Sequence, residues 1–301
     1  MAQAVPNGSW KGWLRAGIAA ALWVSGAWAP IRASAGCDQA AASAIPERAT
    51  GAPTGSEFAH RVQDLSGPPR DALVNAELLS GNLPHFLRRL VPVTLRDGDS
   101  ARTEVVVCVL PDYLAVGSDR DFVFVPMGLQ AALTVADRFG FTLPTPKLVD
   151  AIYAAAVTRL APIPLPAGDL MRSTAYIVRH NALISQERAQ LGAVLGDLTA
   201  GDKKDLVLTN RLWEVPGHVA IYGWHLAEHH PIQPLSTLHG ARYADYSHGV
   251  RLVSDTLYVN GRRMRMAEAL GEPAVAHLLT SEGPLADLPR HLSALMAPPD
   301  R

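Results

Sequence analysis

Along the first half of the chain, apolar positions come in three rhythms. Residues 16–29 (AGIAAALWVSGAWA) are almost uniformly apolar, with no period. Between 91 and 125 the runs VPVTL, TEVVVCVL, DYLAV and DFVFV are short and rich in β-branched residues. They are divided by DGDS and GSDRD, the turn chemistry of an antiparallel meander. Val149, Ile152, Tyr153, Ala156, Val157 and Leu160 then recur at i, i+3, i+4, i+7, i+8 and i+11, which predicts a helix with one buried face. Gly140 is placed to end the helix before it, and the Pro-rich APIPLPAG to end this one. An earlier helix is expected near 71–90, divided by Pro84. Another is expected within 171–192, with Arg179, His180, Glu187 and Arg188 on a solvated face.

From 205 onward strand-like runs return: DLVLTN, HVAIYGWH, PIQPLS and GVRLVSDTLYVN. Asn260-Gly261 signals a type I′ hairpin, and MAEALGEPAVAHLL a closing helix. Strands, helices, then strands again predict a single α+β domain over 71–301, with a largely antiparallel sheet and three to four helices. Residues 36–70, rich in Ala, Pro, Gly and Ser, read as a flexible lead-in.

The unpatterned run at 16–29 changes the picture of compartment. Lys11 and Arg15 precede it and Ala33-Ser34-Ala35 follows, the layout of an export signal over 1–35. The run is about 14 residues, short for a permanent membrane anchor. A periplasmic or secreted protein is expected, with no stable membrane span after signal cleavage. Cys37 and Cys108, the chain's two cysteines, then face an oxidising space and could pair. Within VVVCVL, Cys108 could equally be a buried inert thiol. The net charge of −1 gives no electrostatic case for a nucleic-acid partner. Lys203-Lys204 and Arg262–Arg265 read as solvated surface.

Six of the eleven histidines fall between 218 and 248. His229 and His230 read as an exposed turn. By strand alternation His218 shares a face with Tyr222 and Trp224, and His225 the opposite face, unless Gly223 marks a bulge. The stretch 239–249, HGARYADYSHG, follows the next strand and collects chemistry at a strand end. His239, Asp245 and His248 are the candidate catalytic residues, as base, orienting acid and partner. Arg242, Tyr243, Tyr246 and Trp224 are candidate substrate contacts, and Ser247 a candidate nucleophile. His225, His239 and His248 could hold a divalent metal such as zinc, although no established zinc spacing is present. The leading expectation is an exported hydrolase acting on a small-molecule or cell-envelope substrate, peptide or glycan. A binding module would use Trp213, Trp224, Tyr222 and Tyr246 as an aromatic platform. A third reading makes the cluster a structural corner.

Residues 205–223, DLVLTNRLWEVPGHVAIYG, resemble the strand-turn-strand of the NlpC-type cell-wall peptidases. The resemblance implies His218 as general base and a peptidoglycan stem peptide as substrate. That family's nucleophile is a cysteine that starts an upstream helix. The corresponding region here, SDRDFVFVPMGLQAALTVADRFGFTLP, has none.

Overall fold

Thr54 and Glu57 exchange the two hydrogen bonds of a capping box, and so start the first helix where the chain had been expected to be loose. The structure is a computed structural model that describes residues 37, 39–98 and 103–297. The expected export signal lies outside the described residues. The lead-in expectation is corrected from Ala42 onward. Ile45, Phe58 and Val62 are buried in the core, because this segment carries apolar residues at helical spacing between its prolines and glycines.

Helices α1 (Gly55–Arg61) and α2 (Pro68–Leu79) are followed by a 3-10 turn at His85–Arg88; α2 stops at Ser80–Gly81, where Gly81 has φ 86°, and Pro84 only precedes the 3-10 turn. Strands β1 (Val91–Arg96) and β2 (Glu104–Val109) form a hairpin, as do β3 (Ala115–Ser118) and β4 (Asp121–Phe124). Helix α3 (Leu129–Phe139) ends at Gly140, whose φ of 75° suits a left-handed cap. After β5 (Phe141–Thr142), Thr145 caps α4 (Pro146–Ala155). Val149, Ile152 and Tyr153 are buried as the spacing requires. Val157 is 75% exposed, because the helix stops at Ala155 and the chain enters β6 (Thr158–Arg159). Helix α5 (Thr174–Leu191) leads through β7 (Thr199–Ala200) to β8 (Lys204–Leu206) and the short α6 (Arg211–Glu214). Strands β9 (Ile221–Ala227), β10 (His230–Ser236), β11 (His248–Gly249), β12 (Val253–Val259) and β13 (Arg262–Arg265) follow, then α7 (Met266–Gly271), α8 (Pro273–Leu279) and α9 (Leu288–Met296).

The α+β class holds. The described residues form one compact unit, with nine α-helices where three to four were expected, most of the surplus being short. The strands divide among several mostly antiparallel sheets. One runs β1-β2-β12-β13, with β5 also on β12, and another runs β10-β9-β8-β11. Strand β2 lies between β1 and β12, so five of its six residues are buried and its pattern is continuous rather than alternating. Asn260 (φ 51°) and Gly261 (φ 78°) make the expected turn between β12 and β13. Cys37 and Cys108 are joined by a disulfide with Cα atoms 5.5 Å apart, which ties the start of the described chain to β2. Among the described residues no helix is long and apolar enough to cross a membrane.

Candidate functional site

Strand β8 joins two halves of the site. It pairs antiparallel with β9 and parallel with β11, which sets His248 opposite Lys204 and Gly249 opposite Asp205. A Cβ on Gly249 would lie 2.5 Å from the Tyr113 ring and 2.8 Å from Lys203, so this register needs glycine there. The loop 239–247 thereby closes over Lys203 and Lys204.

Within that loop three rings assemble. His239 stacks on Tyr243 with centroids 4.0 Å apart, Tyr243 meets His248 edge-on at 5.6 Å, and the two histidines are 6.2 Å apart. Asp245 links them. Its Oδ2 accepts the Tyr243 hydroxyl at 3.0 Å and lies 4.0 Å from His248 Nε2. Its Oδ1 accepts the Ser247 N–H at 2.8 Å and the Ser247 hydroxyl at 2.6 Å. The expected catalytic residues His239, Asp245 and His248 are thus brought together.

Their exposure differs sharply. His239 and Tyr243 are half-buried, whereas Asp245 and His248 are each 1% exposed. Both ring nitrogens of His248 are buried without a hydrogen-bond partner. Burial drives the His248 pKa down to about 4, against the pull of Asp245, so the ring is neutral at pH 7. Burial also lowers His239, with Lys204 adding to the effect. Burial pushes the Tyr243 phenol up to about 12. For Asp245 burial acts upward, but His248, the two Ser247 donors and Lys204 together hold it below the usual carboxylate range. A structural corner would pair its imidazoles with backbone carbonyls, and this one does not.

Several candidates fall elsewhere. Ser247 is fully buried and its hydroxyl is committed to Asp245, which removes it as a nucleophile. Tyr246 is corrected from substrate contact to core. It is 2% exposed, and its hydroxyl bridges the Leu165 N–H and C=O. Trp224 is 5% exposed under the Lys204 ammonium, 5.0 Å from its ring, so it cannot stack on a ligand from solvent. With both buried, Trp213 and Tyr222 are the members of the expected aromatic platform that keep exposed surface. Arg242 is exposed, and its side chain makes no hydrogen bond, ion pair or ring contact among the described residues.

His225 belongs to a different cluster. Its Nε2 lies 2.8 Å from Asp150, which also accepts the Tyr222 hydroxyl at 2.9 Å, and its ring stacks on Tyr153. Tyr222 and His225 therefore share a face, against simple alternation. Gly223 (φ 106°) and Trp224 (φ 57°) interrupt the alternation inside β9 without shifting its register with β10, and so turn His225 toward α4. A metal shared by His225, His239 and His248 has no support from this placement. Among the described residues no group of three or more His, Cys, Asp or Glu is arranged to hold a metal ion. His229 and His230 lie in the exposed β9–β10 turn, as expected.

The largest misreading concerns charge. Lys203 is 1% exposed, donating to His180 Nδ1 at 2.9 Å and to the Tyr246 carbonyl at 2.7 Å, and burial lowers its pKa to about 8. His180 and Arg188, expected on a solvated face of α5, are buried, with Arg188 paired to Asp112. Asp205, bonded by the Tyr113 hydroxyl and close to Arg251, is pushed by burial up to about 7. Sequence reasoning missed Lys204 as a site residue. Its signal was its place in a strand facing the histidine-dense window, half-buried and lowered in pKa by that burial.

His218 is half-buried with Nδ1 against the Thr237 carbonyl at 2.7 Å. Gly128 caps the helix where the NlpC-type cysteine would stand, and both of the chain's cysteines are in the disulfide, so the resemblance brings no thiol nucleophile. Comparison with protein-family models, curated proteins and solved structures finds no match.

Proposed function

We propose that the protein is an exported hydrolase of cell-envelope material, with His239, Tyr243, Asp245, His248 and Lys204 as its reaction centre. The observation that carries the reading is His248. A buried neutral imidazole with both nitrogens unbonded is expensive to keep, about 1–3 kcal/mol, and a fold retains such a group where chemistry uses it. In this reading His239, neutral and half-exposed, takes a proton from an attacking water. The hydroxide adds to the scissile carbon, the Lys204 ammonium offsets the developing negative charge, and the proton returns to the leaving group. Asp245 orients Tyr243 by accepting its hydroxyl and sets a negative charge 4.0 Å from His248. The disulfide supports an oxidising location, periplasmic or secreted.

The test is hydrolysis of labelled cell-envelope polymer and of peptide and glycan fragments by the purified chain, with metal content measured on the same sample. His239→Ala should lower kcat at least ~100-fold while the melting temperature stays unchanged. Full activity in that variant would overturn the assignment. Stoichiometric zinc lost on His239→Ala would recast His239, His248 and Asp245 as ligands.

A further inference from the structure

Two cavities meet at Arg242. One, of about 680 Å³, lies between the loop 216–217 and α9 and is lined by Leu212, Trp213, His291 and Leu295. The other, of about 380 Å³, lies between α2 and α3 and is lined by Asp71, Asn75, Gly128 and Thr134. Gln130, Ala241 and Arg242 line both. The junction is fixed. Leu129 donates to the Ala241 carbonyl at 2.8 Å, and Ala241 donates to Gly217 at 2.7 Å, which pins the loop 239–243 across the start of α3. The His239–Tyr243 stack belongs to the same loop.

The polar groups of the two cavities are unsatisfied in complementary senses. Asp71 is 6% exposed, and its Oδ2 accepts the Gly128 N–H at 2.9 Å while its buried Oδ1 accepts nothing. Asn75 Oδ1 beside it is also buried and unpaired. The neighbouring Arg70 donates to the Arg172 carbonyl at 2.8 Å, not to Asp71. Arg70 and Arg172 act on Asp71 only through space, so this end keeps two acceptors without a hydrogen-bond donor. Arg242, in the middle, is an exposed cation with no partner among the described residues. At the far end Trp213 is half-buried, stacked on His291 at 4.3 Å, with its indole N–H unpaired beside Leu212 and Leu295.

We propose that these cavities form one trough that binds an extended peptide, its free amino group at Asp71 and Asn75, an acidic side chain at Arg242 and an apolar residue on Trp213. The proposal rests on the hydrolase reading of the adjoining loop and names peptide as its substrate class. A neutral glycan carries no ammonium for Asp71 and no carboxylate for Arg242, so neither charged group selects it.

The probe is the pentapeptide Gly-Ala-Asp-Ala-Phe amide, titrated into the full chain by calorimetry and by tryptophan fluorescence. Binding should weaken at least 10-fold on N-acetylation of the peptide and at least 10-fold when its Asp is replaced by Asn. Asp71→Asn should erase the first discrimination, Arg242→Ala the second, and Trp213→Ala should weaken all forms. His239→Ala should bind the pentapeptide like the wild type, so trough and reaction centre fail separately. Equal affinity for the acetylated peptide, preference for chitotetraose, or no binding by a folded chain would overturn the trough.

Discussion

Replacing His248 with Leu separates a functional imidazole from a structural one. Leu has nearly the same volume and needs no partners. The substitution removes two buried nitrogens that bond nothing and keeps a filled interior. Restoring hydrogen-bond balance is worth about 1–3 kcal/mol. Losing the ring contacts to His239 and Tyr243 returns about 1 kcal/mol of that. At pH 7.5 the variant should be at least as stable as wild type, by up to about 2 kcal/mol, while hydrolysis is lost. The pH dependence supplies a second magnitude. His248 falls from 6.5 to about 4 on folding, so the native state binds that proton less tightly than the unfolded chain. Its contribution is fully present above pH 6.5 and is lost as pH falls through 4. A shift of about 2.5 units corresponds to about 3 kcal/mol. The advantage of His248→Leu should therefore widen by up to about 3 kcal/mol between pH 7.5 and 4. Urea unfolding at four pH values, with m-values compared to confirm two-state behaviour, measures both quantities. A variant less stable than wild type by more than about 1 kcal/mol, with a difference that ignores pH, would refute the reasoning. His248 would then be a paired structural residue.

Two further outcomes concern stability alone. Cys37→Ser with Cys108→Ser opens a bridge spanning 71 residues, and the chain-entropy account gives a loss of about 4 kcal/mol, matched by reductant acting on wild type. Equal melting temperatures for oxidised and reduced protein would contradict it. Asp205 rises from 3.8 to about 7 on folding, so its favourable contribution exists below pH 3.8 and is lost as pH rises through 7. Asp205→Asn should therefore gain on wild type by up to about 4 kcal/mol between pH 4 and 8, and a difference flat in pH would show that Asp205 does not titrate there.

Local pattern carried much of the fold. The hairpin at Asn260-Gly261, the cap at Gly140 and the buried face of α4 depend on neighbours within a few residues. Such signals are written next to one another. Where a local cue was overlooked, as with the Thr54–Glu57 capping box, the segment was misjudged as loose. The candidate site was legible to the same degree. HGARYADYSHG concentrates His239, Tyr243, Asp245 and His248 within ten residues, so one loop suffices to gather them.

The sequence by itself determined the α+β class, the run of turns and caps, and the loop that holds the candidate chemistry. Tertiary structure alone decided which charged groups leave water. Lys203, His180 and Arg188 read as solvated surface, and in the fold they are buried, as are Asp112 and Asp205, because partners separated by 23 to 92 residues meet them. Burial of an ion is tolerable only with such partners, and the partners are set by sheet pairing rather than by neighbours in the chain. The same holds for His225, which positive φ angles at Gly223 and Trp224 turn toward Asp150, and for Lys204, which parallel pairing of β8 with β11 sets opposite His248.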